Sequence, residues 1–345
     1  MSFVDLRSDT VTLPSPAMRE AMYRAELGDD GYGEDRTVGR LQELAAENTG
    51  KEAALLVPSG CMANLVSLLV FCGGRSEVIL GRHTDMYVYE VGAMSFVGGI
   101  HPCPLENRPD GTLDLAEIER AIRPADVHFP NTRVICLENT HCLCGGVPLT
   151  PEYCASVRQL ADRYALPIYL DGARLFNAAQ ALCVEARALT RHVDALMFCL
   201  SKGLACPVGS VICGSREFIE EARHYRKMLG GQMRQAGVVA AAGIVALEEM
   251  VARLADDHRN AQLLAGEFAD VAGLCLMSPH PPTNMVFFKP EGIGLTIDEL
   301  AARLEALGLK VLPMGAWLRA VTHYGIEPED VRRAAGIMRS VLADA

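Results

Sequence analysis

Three charged residues follow segments that have the composition of buried strands. Asp171 and Arg174 come directly after the apolar run 166–170, and Lys202 comes after the run 195–200. Burying an unpaired charge is costly, so charges at such strand ends indicate a function. A lysine amine can bond covalently to an aldehyde, an acid can keep a ring nitrogen protonated, and the planar guanidinium of arginine fits a carboxylate. The three residue types together are typical of a site for an aldehyde cofactor and an amino acid.

A phosphate site is predicted where the apolar run 53–57 leads into the segment PSGCMAN. Ser59 and Gly60 open a helix there, and the first N–H groups of a helix have no partner within it. A phosphate cup, a buried acid and a lysine preceded by Ser201 are what pyridoxal phosphate requires. Taken singly, an Asp-Gly pair at a strand end is usually a turn, and a Ser-Lys pair is usually a solvated loop. Their joint occurrence on alternating strands favours a pyridoxal-phosphate enzyme.

The elements that must position these residues are apolar runs alternating with helical stretches. The runs cover residues 53–57, 77–80, 133–137, 167–170, 195–200 and 209–213. This alternation predicts an α/β fold with a buried, mostly parallel sheet. In such sheets ligands bind beyond the carboxyl ends of the strands, so the candidate residues are expected to converge there.

The chain of 345 residues is long enough for one large domain and a smaller one. Toward the C-terminus the regular alternation gives way to short strand candidates mixed with helices. We therefore predict an N-terminal arm at 1–15, a large cofactor-binding domain at 16–248 and a small α+β domain at 249–345.

Composition argues against several classes of protein. The formal net charge of -11, with no segment dense in Lys or Arg, argues against a nucleic-acid partner. No apolar run reaches the roughly 18 residues of a membrane span, and the N-terminus lacks the basic and apolar regions of a signal peptide. The twelve cysteines are scattered without a CxxC pair, which favours free thiols in a cytoplasmic protein over a metal site.

Several longer motifs point to one family. The segments DLRSDTVTLPSPAMREAM, GDDGYGED, YEVGAM, ENTH, DGARLFNA and RKMLGGQMRQAG occur in this order along the chain. They resemble the low-specificity L-threonine aldolases, the β-eliminating-lyase-type group of fold-type-I pyridoxal-phosphate enzymes. The resemblance implies a large domain with a mostly parallel seven-stranded sheet and a small α+β C-terminal domain. It also implies retro-aldol cleavage of L-threonine, L-allo-threonine and other β-hydroxy amino acids to glycine and an aldehyde, by a homotetramer with active sites at dimer interfaces.

The resemblance further implies roles for residues at matching motif positions. Lys202 is implied to bond to the cofactor aldehyde, and Asp171 to pair with the pyridine nitrogen. The amides of Gly60 and Cys61 are implied to hold the phosphate. The other implied contacts with cofactor or substrate are Ser201, Ser8, Arg174, Arg319 and His128, with Lys227 and Tyr32 reaching in from a neighbouring subunit. Nothing in the sequence specifies a structural cation.

The segment GRHTDMYVYEVGAM departs from the family at a functional position. In the family a histidine stacks on the cofactor ring five residues before the Glu of the YE.G motif; here that Glu is Glu90, and five residues earlier stands Asp85. Losing a positioned acid or base typically costs about a hundredfold to ten-thousandfold in rate. Either Asp85 or a nearby water is the base, or the loop shifts by two residues and His83 takes the position. A third alternative is that both are loop residues and the reaction is driven elsewhere.

Two smaller departures are cysteines. Cys61 replaces the usual Thr of the phosphate segment, and Cys142 stands where an Asn usually follows the His of ENTH. If the residue 61 amide binds the phosphate, the first change loses only a hydroxyl contact. The second places a thiol near the site.

Asp85 leaves alternatives to the aldolase hypothesis. A racemase or a β-eliminating lyase of the same fold would keep the cofactor and change the reaction. A non-enzymatic homologue that only binds the cofactor is less favoured, because Lys202 and Asp171 are both retained.

Overall fold

The structure, a computed structural model, describes residues 3–343. The strands in this range are β1 (Val4–Asp5), β2 (Ala53–Val57), β3 (Ser76–Gly81), β4 (His101–Leu105), β5 (Asn131–Glu138), β6 (Ile168–Asp171), β7 (Ala195–Cys199), β8 (Ser210–Gly214), β9 (Leu274–Leu276), β10 (Met285–Pro290), β11 (Leu309–Lys310), β12 (Leu312–Met314) and β13 (Trp317–Val321).

The helices in the same range are α1 (Pro16–Arg24), α2 (Arg36–Thr49), α3 (Gly60–Phe71), α4 (Asp85–Val88), α5 (Ala93–Phe96), α6 (Leu115–Ala121), α7 (Pro151–Arg163), α8 (Leu175–Leu182), α9 (Ala186–Thr190), α10 (Arg216–Met228), α11 (Gly237–Val245), α12 (Val251–Ala269), α13 (Ile297–Ala306) and α14 (Pro328–Ala343). A π-helical segment, Ala246–Met250, joins α11 to α12, and short 3₁₀ helices cover Asp9–Val11 and Asp30–Tyr32. None of the helices within residues 3–343 combines the length and apolar character that crossing a bilayer requires.

The large sheet has seven strands within the described range, in the order β2-β8-β7-β6-β5-β3-β4. All neighbouring pairs are parallel except the two that β8 makes with β2 and β7. The predicted mostly parallel, seven-stranded sheet is confirmed. The edge strand β4 was not predicted because its sequence, HPCPL, contains two prolines, which lack an N–H for the ladder and are tolerated at a sheet edge.

Helices cover both faces of this sheet, so its strands are buried on two sides. Leu56 packs in a cluster with residues of α2, α7, α8 and α11, while the neighbouring Leu55 packs in a second cluster with residues of α3 and α10. Successive side chains of a strand point to opposite faces, which explains this division. Because both faces are apolar, the ligand site must lie at the strand ends.

The smaller part of the chain is built on an antiparallel sheet in the order β12-β13-β10-β9, packed against α12, α13 and α14. Strand β1 pairs in parallel with β11, with Val4 opposite Leu309, and the side chains of Val4 and Leu6 lie in the core of this part. The N-terminal arm is therefore packed as part of the smaller unit. The domain boundaries proposed from the sequence stay a prediction.

Candidate active site

The carboxyl ends of β5, β6 and β7 and the start of α3 surround a cavity of about 290 Å³. The sequence-predicted residues that line it are Ser8, Gly60, Cys61, Asp85, Asp171, Arg174, Ser201, Lys202 and Arg319. Residues from both sheets and from the N-terminal arm thus reach one cavity. This is the convergence expected at the carboxyl edge of a parallel sheet.

Asp171 ends the central strand β6 and is buried. Its Oδ2 accepts a hydrogen bond of 2.8 Å from the Nδ2 of Asn64, and its Oδ1 accepts one of 3.0 Å from the amide of Ala173. Burial raises the pKa of Asp171 to about 6, and the charges of Glu138 and Asp85 contribute to the rise. Within residues 3–343 no cation lies within ion-pair distance of this carboxylate, so a protonated ring nitrogen would supply a partner it lacks.

Lys202 follows β7, and its backbone carbonyl accepts a hydrogen bond of 3.1 Å from the hydroxyl of Thr12 in the N-terminal arm. Burial lowers the pKa of the Lys202 amine, but nearby acidic groups, among them Asp171 and Asp9, outweigh that effect and the pKa is raised. An amine held among acidic groups in a cavity can bond to an aldehyde placed between it and Asp171.

A cup of backbone amides lies at the start of α3. Ser59 caps the helix by accepting a hydrogen bond of 3.2 Å from the amide of Met62, which leaves the amides of Gly60 and Cys61 without an intrahelical partner. A side chain at position 60 would have its Cβ 3.0 Å from the Sγ of Cys199, so a residue larger than glycine would require the neighbouring side chains to shift by a few tenths of an ångström. The helix dipole favours an anion at this point.

The two cavity arginines differ in their partners. Arg174 donates from Nε and Nη2 to the two oxygens of Asp9, at 2.8 and 2.6 Å, and both side chains are buried. Burial alone would raise the pKa of Asp9, but Arg174 lowers it well below its usual range. Two of the three nitrogens of Arg174 are therefore committed to Asp9, which the sequence predictions did not include.

Arg319 has no such carboxylate among the described residues. Its Nη1 contacts the Sγ of Cys142 at 3.1 Å, its Nη2 donates to the carbonyl of Arg7 at 3.2 Å, and its Nε is buried without a hydrogen-bond partner. The Arg319 side chain lines the cavity without a carboxylate partner among the described residues, which suits a substrate carboxylate.

The structure distinguishes Asp85 from His83. Asp85 opens α4 and lines the cavity with Asp171 and Lys202. His83 is exposed and lines a different cavity of about 600 Å³, between the segments 107–110 and 277–287. The alternative in which the loop shifts so that His83 takes the family position does not match this geometry. The role of Asp85 as a base stays a prediction.

Two buried acids near the cavity were not assigned from the sequence. Glu90 accepts a hydrogen bond of 2.8 Å from Asn64, and burial raises its pKa to about 8. Glu138 ends β5, beside Asp171 in the sheet, and burial raises its pKa to about 7. In the sequence, Glu90 belongs to the YE.G motif and Glu138 to the ENTH motif, and these motifs could have indicated both acids. Asn64 could have been found from its position one helical turn after Gly60.

Three predicted residues lie away from the cavity in the single chain. Tyr32 is 78% exposed, Lys227 is exposed at the end of α10, and His128 is exposed and pairs with Asp126 at 2.6 Å. For Tyr32 and Lys227 an exposed position agrees with the expected reach into a neighbouring subunit. The predicted role of His128 in lining the site has no support within one chain.

Residues 5–291 match the family described as Beta-eliminating lyase. The chain belongs to the beta-eliminating lyase family. This membership agrees with the fold and with the lysine, acid and amide cup of the cavity, and it confirms the resemblance inferred from the motifs.

Curated relatives within this family cover nearly all of the chain. Low-specificity L-threonine aldolase 1 of Arabidopsis thaliana is 48% identical over 336 residues, which are 96% of this chain and 94% of the relative. Low specificity L-threonine aldolase of Escherichia coli strain K12 is 42% identical over 342 residues, 99% of each chain. The solved structure of Leishmania major threonine aldolase superposes with a TM-score of 0.83 at 19% identity, covering 98% of this chain and 99% of that one, and so shows the shared fold.

Proposed function

We propose that this lyase is a pyridoxal-phosphate-dependent aldolase that cleaves L-threonine, L-allo-threonine and other β-hydroxy amino acids to glycine and an aldehyde. The observation that carries the proposal is the convergence of Lys202, Asp171 and Arg319 on one cavity. The names of the relatives from Arabidopsis thaliana and Escherichia coli support the same reaction.

The residues of the cavity fit the cofactor. Asp171 would pair with the pyridine nitrogen, the amides of Gly60 and Cys61 would hold the phosphate, and Lys202 would bond to the aldehyde. When bound, the cofactor withdraws electrons from the Cα–Cβ bond of the amino acid. The buried carboxylate of Asp171, which has no cation within ion-pair distance among the described residues, is the feature that such a ring would complete.

The chain's own residues orient the substrate and move its protons. Arg319 binds the substrate carboxylate from the cavity wall, with Ser8 on the same wall. Fixing the carboxylate sets the orientation of the Cα–Cβ bond, which is a positioning contribution to the rate. Asp85, on the same cavity, accepts the proton of the β-hydroxyl, directly or through a water. Arg174 is fixed at the cavity wall by its Nε and Nη2 bonds to Asp9, and its Nη1, which makes no bond to Asp9, is available to the substrate carboxylate.

We infer a homotetramer with its active sites at dimer interfaces. Support comes from the segment 85–97, which adjoins the cavity and leaves Val91 95% exposed and Phe96 92% exposed. Exposed apolar side chains next to a polar cavity are typical of a covered surface. Tyr32 and Lys227 are the residues expected to cross that interface. We also infer a cytoplasmic location, because the twelve cysteines are free.

The test is product analysis. The purified protein with pyridoxal phosphate is expected to form acetaldehyde and glycine from L-threonine. Pyruvate from L-serine, or D-alanine from L-alanine, as the main product would favour the β-eliminating lyase or the racemase instead.

Lys202→Ala is expected to abolish both turnover and the visible absorbance of the protein-bound cofactor. Lys289→Ala, which removes a lysine that lies over the ring of Trp317, serves as the matched control and should retain both. Turnover and absorbance that survive in Lys202→Ala would contradict the assignment of this lysine.

A further inference from the structure

Glu138 is a buried acid that nothing above assigns a role. It is the last residue of β5 and lies beside Asp171 of β6. No cation within residues 3–343 lies within ion-pair distance of its carboxylate. A carboxylate buried in this way is costly unless hydrogen bonds to its charged form compensate.

Both oxygens of Glu138 accept hydrogen bonds from backbone amides of different loops. Oε2 accepts from the amide of Asp85 at 2.8 Å, and Oε1 accepts from the amide of Cys142 at 2.9 Å. Both oxygens of a carboxylate are acceptors, so the glutamate side chain satisfies the two amides at once.

The first of these bonds caps α4. Thr84 occupies the N-cap position, but its side chain makes no capping bond and donates instead to the carbonyl of Gly81 at 2.8 Å. The amide of Asp85 is thus held from another strand, by Glu138. This contact sets where the first turn of α4 places the Asp85 side chain in the cavity.

The second bond, which the amide of Cys142 donates, connects Glu138 through Cys142 to Arg319, the arginine proposed to bind the substrate carboxylate. Cys142 is buried, and its Sγ lies 3.1 Å from Nη1 of Arg319. The amide of the same residue is fixed by Glu138. The position of the thiol therefore limits where the guanidinium of Arg319 can lie.

We propose that Glu138 is a positioning residue that fixes Asp85 and, through Cys142, Arg319 at the wall of the same cavity. The inference rests on the proposed aldolase function. One oxygen of Glu138 holds the amide of Asp85 and the other holds the amide of Cys142. One substitution at Glu138 should therefore impair both proton transfer and binding of the substrate carboxylate. A residue that acted on stability alone would affect neither selectively.

The test compares Glu138→Gln with a matched control, Glu77→Gln. A glutamine has nearly the shape of glutamate but accepts at one oxygen only, so one of the two amides would face its NH₂ group. Glu77 is also a buried glutamate of the same sheet, but it lies at the amino end of β3, paired with Arg123 at 3.2 Å.

In Glu138→Gln, the kcat for acetaldehyde formation from L-threonine is expected to fall at least tenfold. The Kd for glycine, measured by calorimetry on the cofactor-loaded protein, is expected to rise at least fivefold. The Kd for pyridoxal phosphate should change less than threefold, because Lys202, Asp171 and the amide cup are untouched. Glu77→Gln should keep the wild-type kcat and both dissociation constants.

Equal glycine affinity and kcat in Glu138→Gln and Glu77→Gln would overturn the proposal. So would a loss of cofactor affinity as large as the loss of glycine affinity. If Glu138→Gln does not fold, Cys142→Ala tests the contact between Cys142 and Arg319. The Kd of this variant for glycine should rise at least fivefold, and an unchanged Kd contradicts the proposal. Failure of the wild-type protein to release acetaldehyde would instead contradict the aldolase function itself.

Discussion

Two arginines reach the cavity, and they should respond differently to removal. Arg174→Ala would leave the carboxylate of Asp9 buried without its partner, and breaking a buried pair in this way typically costs about 3–5 kcal/mol. We expect a drop of that size in the free energy of unfolding, measured by urea denaturation of the cofactor-free protein.

Arg319→Ala should act mainly on binding, because no carboxylate among the described residues depends on it. The free energy of unfolding should fall by less than about 2 kcal/mol, while the KM for L-threonine rises at least tenfold. The assignment fails if the two variants show the same loss of stability and the same KM.

Asp85 and His83 are two residues apart but face different cavities. Asp85→Ala is expected to lower kcat for L-threonine by about a hundredfold to ten-thousandfold, the usual effect of removing a positioned acid or base. The absorbance of the bound cofactor should persist, because Lys202 and Asp171 remain.

His83→Ala is the control, since His83 lies on the other cavity. Its kcat should stay within threefold of wild type. A large loss in His83→Ala together with a small one in Asp85→Ala would reverse the assignment made from this geometry.

At the scale of elements, most strands of the large sheet were predictable from apolar runs. The predicted run 53–57 has the same bounds as β2, and β6 and β7 differ from prediction by one residue at one end or both. The proline-containing edge strand β4 was not predictable in the same way. The strand β9 has three residues, which are too few to show a strand pattern in the sequence. It is a strand because it pairs with β10.

Site residues were predictable where their role depends on a local motif. Lys202, Asp171 and Gly60 follow from strand ends and a helix start. Asp9 was missed because its partner Arg174 lies 165 residues further along the chain. Glu138 was expected at a strand end of the site, as part of the ENTH motif, but its role was not predictable because its partners are backbone amides, which carry no signal in the residue type.

In the loop 28–35 the backbone packs so closely against Gly28 that a side chain does not fit at this position. A Cβ on Gly28 would lie 2.6 Å from the carbonyl carbon of Glu34 and 2.9 Å from the amide nitrogen of Asp35. Gly28→Ala is therefore expected to lower the free energy of unfolding by about 1–3 kcal/mol, as overpacking does.

Gly39, within the helix α2 that follows this loop, has open space where the methyl group of an alanine would lie, with no neighbouring atom within 4 Å. Gly39→Ala should raise the free energy of unfolding by about 0.5–1 kcal/mol, since alanine favours a helix over glycine by that amount. Thermal or urea denaturation of Gly28→Ala and Gly39→Ala tests both predictions. Equal changes in the free energy of unfolding, in the same direction, would contradict them.

For the whole molecule, buried acids determine how stability depends on pH in the cofactor-free state. Burial raises the pKa of Glu90 to about 8 and the pKa values of Glu138 and Asp257 to about 7. The unfolded chain has lower pKa values for these acids and binds fewer protons, so stability falls as pH rises. Lowering the pH from 8 to 6.5 should increase the free energy of unfolding by about 1–3 kcal/mol.

Two histidines limit this gain at lower pH. Burial lowers the pKa values of His141 and His258 to about 4, below the value of 6.5 in an unfolded chain, so they reduce stability as pH falls below 6.5. Urea denaturation across pH 5–8 should therefore show a steep gain in stability as the pH falls to about 6.5 and a shallower gain below it. Glu90→Gln should flatten the slope above that point, and an unchanged slope would contradict this account.

The pairing of β1 with β11 has a consequence for synthesis of the protein in the cell. The segment that carries Ser8 and Asp9 is synthesised long before Leu309, the residue with which Val4 pairs. Contacts between such distant parts of a chain form late. In the nascent protein β1 therefore stays without its partner strand until the segment that contains Leu309 has been synthesised, and the cavity wall that carries Ser8 is completed only then.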